Sequence, residues 1–257
     1  MEHAHHLARQ AARCGRRRRG AFRAIGAGRA TRAAVLLGLA AAGVAHGQEQ
    51  GLSLTVGLRL MASQWTTFSY ANNGTVLTQL TADDKVVWLP VAQARFGDWS
   101  VTASALPSTN YRFQNGQGTR RREWDANVGW TFVPGLTATL GYKSVLQQGD
   151  YRYAPRGPVV GLSANAALQA GTSLYGSVGV GKLKTPQSAS QRDVQFDTKY
   201  RLVEVGLAHS LSGRGFAKAF TLTGGYRSQV MVSKDALNGE DGRDLTEGFT
   251  VGVIASF

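Results

Sequence analysis

The sequence predicts an all-β protein, a closed up-and-down antiparallel transmembrane β-barrel of about ten strands. Three observations carry that expectation. Apolar and polar residues alternate with period two over long stretches. The stretches recur about every 20 residues along the chain from position 52 onward. Short connectors alternate with longer polar ones, which places tight turns at one end of the sheet and loops at the other.

The first strand is expected from Leu52 to about Tyr70, with Leu54, Val56, Leu58 and Leu60 on one face. The second covers Lys85–Phe96 and the third Trp99–Tyr111, where Trp99, Val101, Ala103 and Ala105 oppose Ser100, Thr102 and Ser104. The fourth shows the pattern best. Trp124, Ala126, Val128, Trp130 and Phe132 fall on one face, and Glu123, Asp125, Asn127, Gly129 and Thr131 on the other. After Pro134-Gly135 the fifth sets Leu136, Ala138, Leu140 and Tyr142 against Thr137, Thr139, Gly141 and Lys143. The sixth to tenth are Pro158–Leu168, Ser173–Lys184, about Phe196–Leu211, Ala219–Met231 and Leu245–Phe257. Pro90 lies inside the second and leaves eight strands as the alternative count.

Gly97-Asp98, Pro134-Gly135, Ala170-Gly171 and Ser212–Arg214 are the short connectors. The long ones are Ala71–Asp84, Phe113–Arg122, Gln148–Arg156, Pro186–Asp193 and Ser233–Asp244. A soluble sandwich also alternates, but its strands average about 5–6 residues. The strands here run to about 11–15, long enough to cross hydrocarbon when tilted. Aromatic residues gather near strand ends as two girdles. Trp99, Trp130, Phe132, Phe220 and Phe257 belong to the short-turn end; Trp65, Tyr70, Trp88, Tyr111, Trp124 and Tyr226 lie toward the loop end. Lipid forces closure, because an open edge would leave backbone groups unpaired in hydrocarbon. Glycines on the inward face, such as Gly57, Gly141, Gly206 and Gly225, fit a narrow, strongly curved barrel.

The chain has 257 residues, 43% of them hydrophobic and 18% charged, with a formal charge of +13. That charge would suggest a nucleic-acid partner, but its distribution removes the suggestion. Residues 1–47 hold nine Arg and one Glu, together with Cys14 and four of the five His. There an Arg-rich stretch precedes the apolar run Ala33–Ala45, and small residues follow at Ala45 and Gly47. This is the layout of a cleaved secretory signal, with cleavage expected after Gly47, so the division is 1–47 signal and 48–257 barrel. One Cys excludes a disulfide framework and a cysteine-rich metal site.

The last strand reads Gly248-Phe249-Thr250-Val251-Gly252-Val253-Ile254-Ala255-Ser256-Phe257. It resembles the C-terminal assembly signal of bacterial outer-membrane β-barrel proteins, with Phe249, Val251, Val253, Ala255 and the terminal Phe257 as its apolar and aromatic positions. The resemblance implies a bacterial outer-membrane location and surrounding lipid and lipopolysaccharide. It also implies the barrel assembly machinery as a partner. A single-chain monomer is expected.

The presumed inward face carries Arg59, Arg95, Asp125, Lys143, Glu204 and Arg227, which must pair or meet water. Two readings follow: a hydrogen-bonded plug of side chains, with Glu204 and Arg227 as a pair on neighbouring strands, or a narrow wet passage with a slight positive bias. Some barrels of this size are hydrolases, which generally need a His. The only His after residue 47 is His209, which shares parity with lipid-facing Val205 and Leu207, so no catalytic residue is expected. Asp83, Asp84, Asp150, Asp193 and Asp241 read as solvated loop acids. Gly176–Lys182 mimics a phosphate-binding loop but has Leu183 where Ser or Thr is needed, and it alternates as a strand. Asn73-Gly74-Thr75 reads as a turn. Tyr151, Arg152, Tyr153 and Arg156 form a basic aromatic cluster on one loop, suited to lipopolysaccharide phosphates or to a rim above the upper girdle. No cofactor, metal or nucleic acid is expected.

Overall fold

The computed structural model describes residues 51–71, 74–185, 197–213, 215–234 and 241–257. The segment 1–47 expected to be an export signal, the connector Pro186–Asp193, Asn73, Arg214 and positions 235–240 lie outside the described residues.

Twelve strands form one antiparallel sheet: β1 (Leu52–Tyr70), β2 (Val76–Thr81), β3 (Lys85–Phe96), β4 (Trp99–Arg112), β5 (Gly118–Val133), β6 (Leu136–Gln148), β7 (Arg152–Tyr153), β8 (Arg156–Gln169), β9 (Thr172–Leu183), β10 (Thr198–Ser212), β11 (Ala219–Ser233) and β12 (Asp241–Ser256). Ten of them build the wall in the order β1-β3-β4-β5-β6-β8-β9-β10-β11-β12, and β12 pairs back onto β1 to close it. The closing ladder runs from Thr55–Ser256 to Tyr70–Asp241, and the Phe257 amide donates to the Leu54 carbonyl at 2.8 Å. The sheet therefore presents no open edge along this seam, as hydrocarbon requires.

β2 pairs with Thr66–Tyr70 of β1 while β3 pairs with Leu52–Ser63 of the same strand, so β2 continues β3 beyond a break at 82–84. β7 similarly folds back on the end of β6. These two pieces, and the early starts of β5 and β12, correct the expected loop lengths. Much of Ala71–Asp84, Phe113–Arg122 and Gln148–Arg156 is strand. The reason is physical. Beyond the apolar belt both faces are polar, so the amphipathic alternation that marks a strand fades although the ladder continues. β11 begins at Ala219 as expected, so the connector between β10 and β11 runs on past the expected turn Ser212–Arg214.

The other short turns use glycines at positive φ: Gly97 (56°), Gly135 (82°) and Gly171 (73°). Segment 176–182 lies within β9, so the phosphate-loop mimic is a strand.

The weakest seam is between β3 and β4. Their ladder spans only Val91–Phe96 against Ser104–Trp99. Pro90, next above it, offers no N–H, and β4 bulges between Leu106 and Thr109 around Pro107. The zipper is re-tied higher up, where the Asp83 amide donates to the Arg112 carbonyl at 2.8 Å and Ala82 bridges Phe113.

The outward face is apolar from β1 to β12, with Leu58, Val101, Leu140, Val160, Val205 and Val251 all more than two-fifths exposed. Two aromatic girdles bracket it. Trp99 stacks on Trp130, which touches Phe132, and Phe220 and Phe257 sit at the same end. Toward the loops, Trp124 stacks on Tyr142, and Tyr226 meets Phe249 edge-on. On β5, Trp124 and Phe132 are separated by roughly 20 Å of height at a ~40° tilt, close to the ~25 Å band of membrane barrels. Trp88 is 57% exposed and outward. Trp65 is a correction. It is 2% exposed and points into the barrel, as does Tyr111 at 1%. Trp65 follows the same odd parity as inward Arg59, Met61 and Ser63.

Candidate functional site

Among the described residues, buried chemically capable side chains converge in the lumen, where they form two ionic clusters. The larger is centred on Glu123 of β5. Arg121 Nε donates to Glu123 Oε1 at 2.7 Å, and Lys143 Nζ of β6 lies 2.6 Å from Oε2. Gln229 Nε2 of β11 donates to both Glu123 oxygens at 3.1 Å. In the ring of ten wall strands β5 and β11 stand five apart, so this contact runs from one wall to the wall facing it. Gln147 of β6 makes a second such crossing, donating at 2.8 Å to Asp244 of β12, also five strands away.

The surroundings hold these groups in place. The Arg121 guanidinium lies 4.7 Å over the Trp65 ring, and Lys143 Nζ is 5.4 Å from the centre of the Tyr200 ring. The Trp65 indole N–H points at Asp244 at 3.4 Å. Asp125 accepts from Ser104 at 2.9 Å and from Asn127 at 3.2 Å, and lies 3.7 Å from Lys143. The smaller cluster sits nearer the short turns. Glu204 of β10 is held between Arg59 of β1 and Arg227 of β11, the latter at 2.9 Å. Arg95 joins neither cluster. Its Nε donates at 2.9 Å to the Gly97 carbonyl, so it braces its own turn at the rim.

Within the two clusters four cations (Arg59, Arg121, Lys143, Arg227) face four carboxylates (Glu123, Asp125, Glu204, Asp244). The slight positive bias expected of the interior is therefore absent from these clusters. The balance differs from the expected set because Arg121, Glu123 and Asp244 join the lumen charges while Arg95 leaves them for its own turn.

The interior is also less polar than its sequence suggested. Met61, Trp65, Val87, Leu89, Leu106, Tyr111 and Phe113 form an apolar half-core inside β1, β3 and β4. Val145, Val159, Leu183, Tyr200 and Met231 form another on the opposite wall. Trp65 packs edge-on against Tyr111 and Phe113, with ring centroids 5.2 and 4.9 Å apart. A void beside the ions, lined by Arg59, Glu123, Lys143 and Arg227, has a volume of about 30 Å³, room for a water molecule or two.

Tyr153 also departs from expectation. It leaves the proposed loop cluster with Tyr151, Arg152 and Arg156 and turns inward, where its hydroxyl meets Thr198 and, at 3.2 Å, Ser233. Burial pushes that hydroxyl above the usual phenol range, so it stays a proton donor roofing the lumen.

Nearer the short turns, glycines make room for larger neighbours. A Cβ on Gly206 would stand 2.6 Å from the Tyr175 hydroxyl, and one on Gly225 would stand 2.7 Å from it. The Tyr175 ring thus lies across both glycines.

His209 points outward beside the Gly171 turn, its Nδ1 2.8 Å from the Thr172 hydroxyl. Asp84 accepts from Gln64 and Asp150 from Gln117, each at 3.1 Å, and Asp241 pairs with Lys234 at 3.1 Å. Asp83 is exposed, and Asp193 lies outside the described residues. The terminal positions Phe249, Val251, Val253 and Phe257 face outward with exposures of 40–72%, and Ala255 shares their face.

No protein-family model matches the chain, and no curated protein matches it. Solved structures give distant likenesses. The outer membrane protease OmpT of Escherichia coli aligns over 80% of this chain and 96% of its own, at 11% identity and a TM-score of 0.49. The toluene transporter TodX of Pseudomonas putida aligns over 81% and 90%, at 11% identity and 0.31. A FadL homologue of Pseudomonas aeruginosa aligns over 80% and 89%, at 8% identity and 0.29. The closed ten-strand antiparallel barrel is established by the strand register itself.

Proposed function

We propose that the chain is an integral barrel of the bacterial outer membrane, structural or surface-interacting in role, whose lumen is closed to solutes. One observation carries this reading: the Glu123–Gln229 contact joins walls five strands apart, inside ion pairs that are almost wholly buried. A solute moving along the axis would have to break charge-assisted hydrogen bonds in a dry setting, where each broken partner leaves an uncompensated charge. The two apolar half-cores pack further side chains around these ions, and the void beside them is only about 30 Å³.

On this reading residues 1–47 direct export, the terminal strand is offered to the barrel assembly machinery, and lipid and lipopolysaccharide surround a monomer. The outer wall and loop end then do the work. No catalytic step is assigned. His209 lies outside the barrel near the short turns, and the loop acids Asp84, Asp150 and Asp241 each have a polar partner.

Planar-bilayer recording of the refolded mature chain tests the closed lumen. The expected trace shows no step conductance above the empty bilayer. Discrete openings would overturn the proposal in favour of a narrow solute channel.

A further inference from the structure

The upper aromatic girdle is not continuous. Its outward members Trp88, Trp124, Tyr142, Tyr226 and Phe249 lie on β3, β5, β6, β11 and β12. β8, β9 and β10 have none, since Tyr175 and Tyr200 point inward. At the level where the girdle would continue, these three strands carry five exposed outward cations: Arg156, Lys182, Lys184, Lys199 and Arg201.

Their register is unusual. Lys182 sits directly across from Lys199, and Arg156 directly across from Lys184, with both backbone hydrogen bonds of that bridge made at 3.0 and 2.9 Å. Arg201 is one diagonal step from Lys182. Like charges directly opposite on neighbouring strands repel and cost stability. Among the described residues none of the five forms a salt bridge: Asp197, exposed on the same face two residues before Lys199, pairs with none of them. An anion lodged between two adjacent like-charge pairs would relieve that repulsion. Immediately below, Val160, Val178, Val180 and Val203 form a smooth exposed valine wall, each 51–53% exposed. Phosphate-binding cations directly over an aliphatic wall fit a lipid whose headgroup is phosphorylated and whose acyl chains lie along the strands.

We propose that this face of β8–β10 is a binding site for lipopolysaccharide, with the lipid A phosphates lodged among the five cations and the acyl chains against the valines. The site replaces the loop cluster expected from sequence, which Tyr153 leaves by turning inward. It rests on the reading of the loop end as facing the outer leaflet.

The test uses the full mature barrel refolded into detergent micelles, with purified lipopolysaccharide, its dephosphorylated form and phosphatidylglycerol as probes, and native mass spectrometry as readout. The variants are R156Q/K182Q/K199Q and, as a control elsewhere on the collar, R120Q/R122Q on β5. Folding of each is checked by heat-modifiable gel mobility, which separates a failed barrel from a failed site. The intact protein should retain lipopolysaccharide and release the dephosphorylated form, and phosphatidylglycerol should not compete. The triple variant should bind about a hundredfold more weakly, and the control should lose little. Equal retention of the dephosphorylated lipid, competition by phosphatidylglycerol, an unaffected triple variant or an equal loss in the control would each overturn the site. A barrel that folds in none of these forms would instead sink the membrane reading beneath it.

Discussion

Replacing Glu123 by Gln keeps the shape of the side chain and removes its charge. In the native lumen its two oxygens accept from Arg121, Lys143 and Gln229 at 2.6–3.1 Å. The two cations are no more than 2% exposed, so water cannot take over. Removing one partner of a buried pair typically costs about 3–5 kcal/mol. Asp125 remains 3.7 Å from Lys143 and softens the loss. We therefore expect about 3 kcal/mol, a shift of roughly 150-fold in the folded-to-unfolded ratio. Urea titration of vesicle-inserted protein, followed by tryptophan emission and gel mobility, measures it. A double variant, E123L/K143M, removes both charges and should recover at least half of the loss, because Arg121 keeps Trp65 and Asp244 near it. If E123Q lies within about 0.5 kcal/mol of the parent, the cluster is solvated, and the closed lumen fails with it.

Other outcomes follow from the same geometry. Brominated lipid should quench Trp88, Trp99, Trp124 and Trp130, whose exposures are 47–57%, and spare Trp65 at 2%; single-tryptophan variants read this directly, and a quenched Trp65 would reverse its placement. Gly206→Val should destabilise by about 1–3 kcal/mol through overpacking against the Gly224 carbonyl and Tyr175, and adding Tyr175→Ala should return only the share due to the ring. Amides of Val86–Leu89 should exchange with deuterium faster than those of Val56–Ser63, because the former face β4 where the ladder is missing while β1 is laddered on both sides; equal protection would mean the seam is zipped.

Period-two alternation made the wall legible because lipid demands apolar groups on every second position. It placed Trp130, Leu140 and Val251 outside, where the structure has them. It failed where that demand ends. Arg121 stood in a stretch read as loop, yet it belongs to the parity run Arg121, Glu123, Asp125, Asn127, Gly129, a signal present in the residues themselves. Trp65 was assigned by residue type to a girdle against its own parity with Arg59, Met61 and Ser63. Tyr153 was not readable at all. Its inward turn depends on β7 folding back on β6 and on Thr198 and Ser233, which come from strands far along the chain. Pairings across the lumen depend on the shear of the barrel, and no local pattern encodes shear.

The size of the barrel explains why its chemistry is divided in this way. In a ring of ten strands, side chains of ordinary length reach from one wall to the other, as Glu123 and Gln229 do. Inward residues are then subject to the rules of a packed protein core, and charges survive there only as the balanced clusters observed. Near the short turns the same narrowness leaves glycine at Gly206 and Gly225 so that Tyr175 can fit. A lumen filled in this manner has no room for variation, whereas the outer wall above the apolar belt is free of packing demands on both of its sides. The aromatic girdle shows where that freedom is used: it is kept on five strands and exchanged for unpaired cations on β8–β10. The void of about 30 Å³ abuts the incomplete β3–β4 seam, where Leu89 and Leu106 of the apolar half-core line it. Opening that seam would expose their side chains and the Trp65–Tyr111–Phe113 contacts together, so the seam lowers local protection without creating a passage.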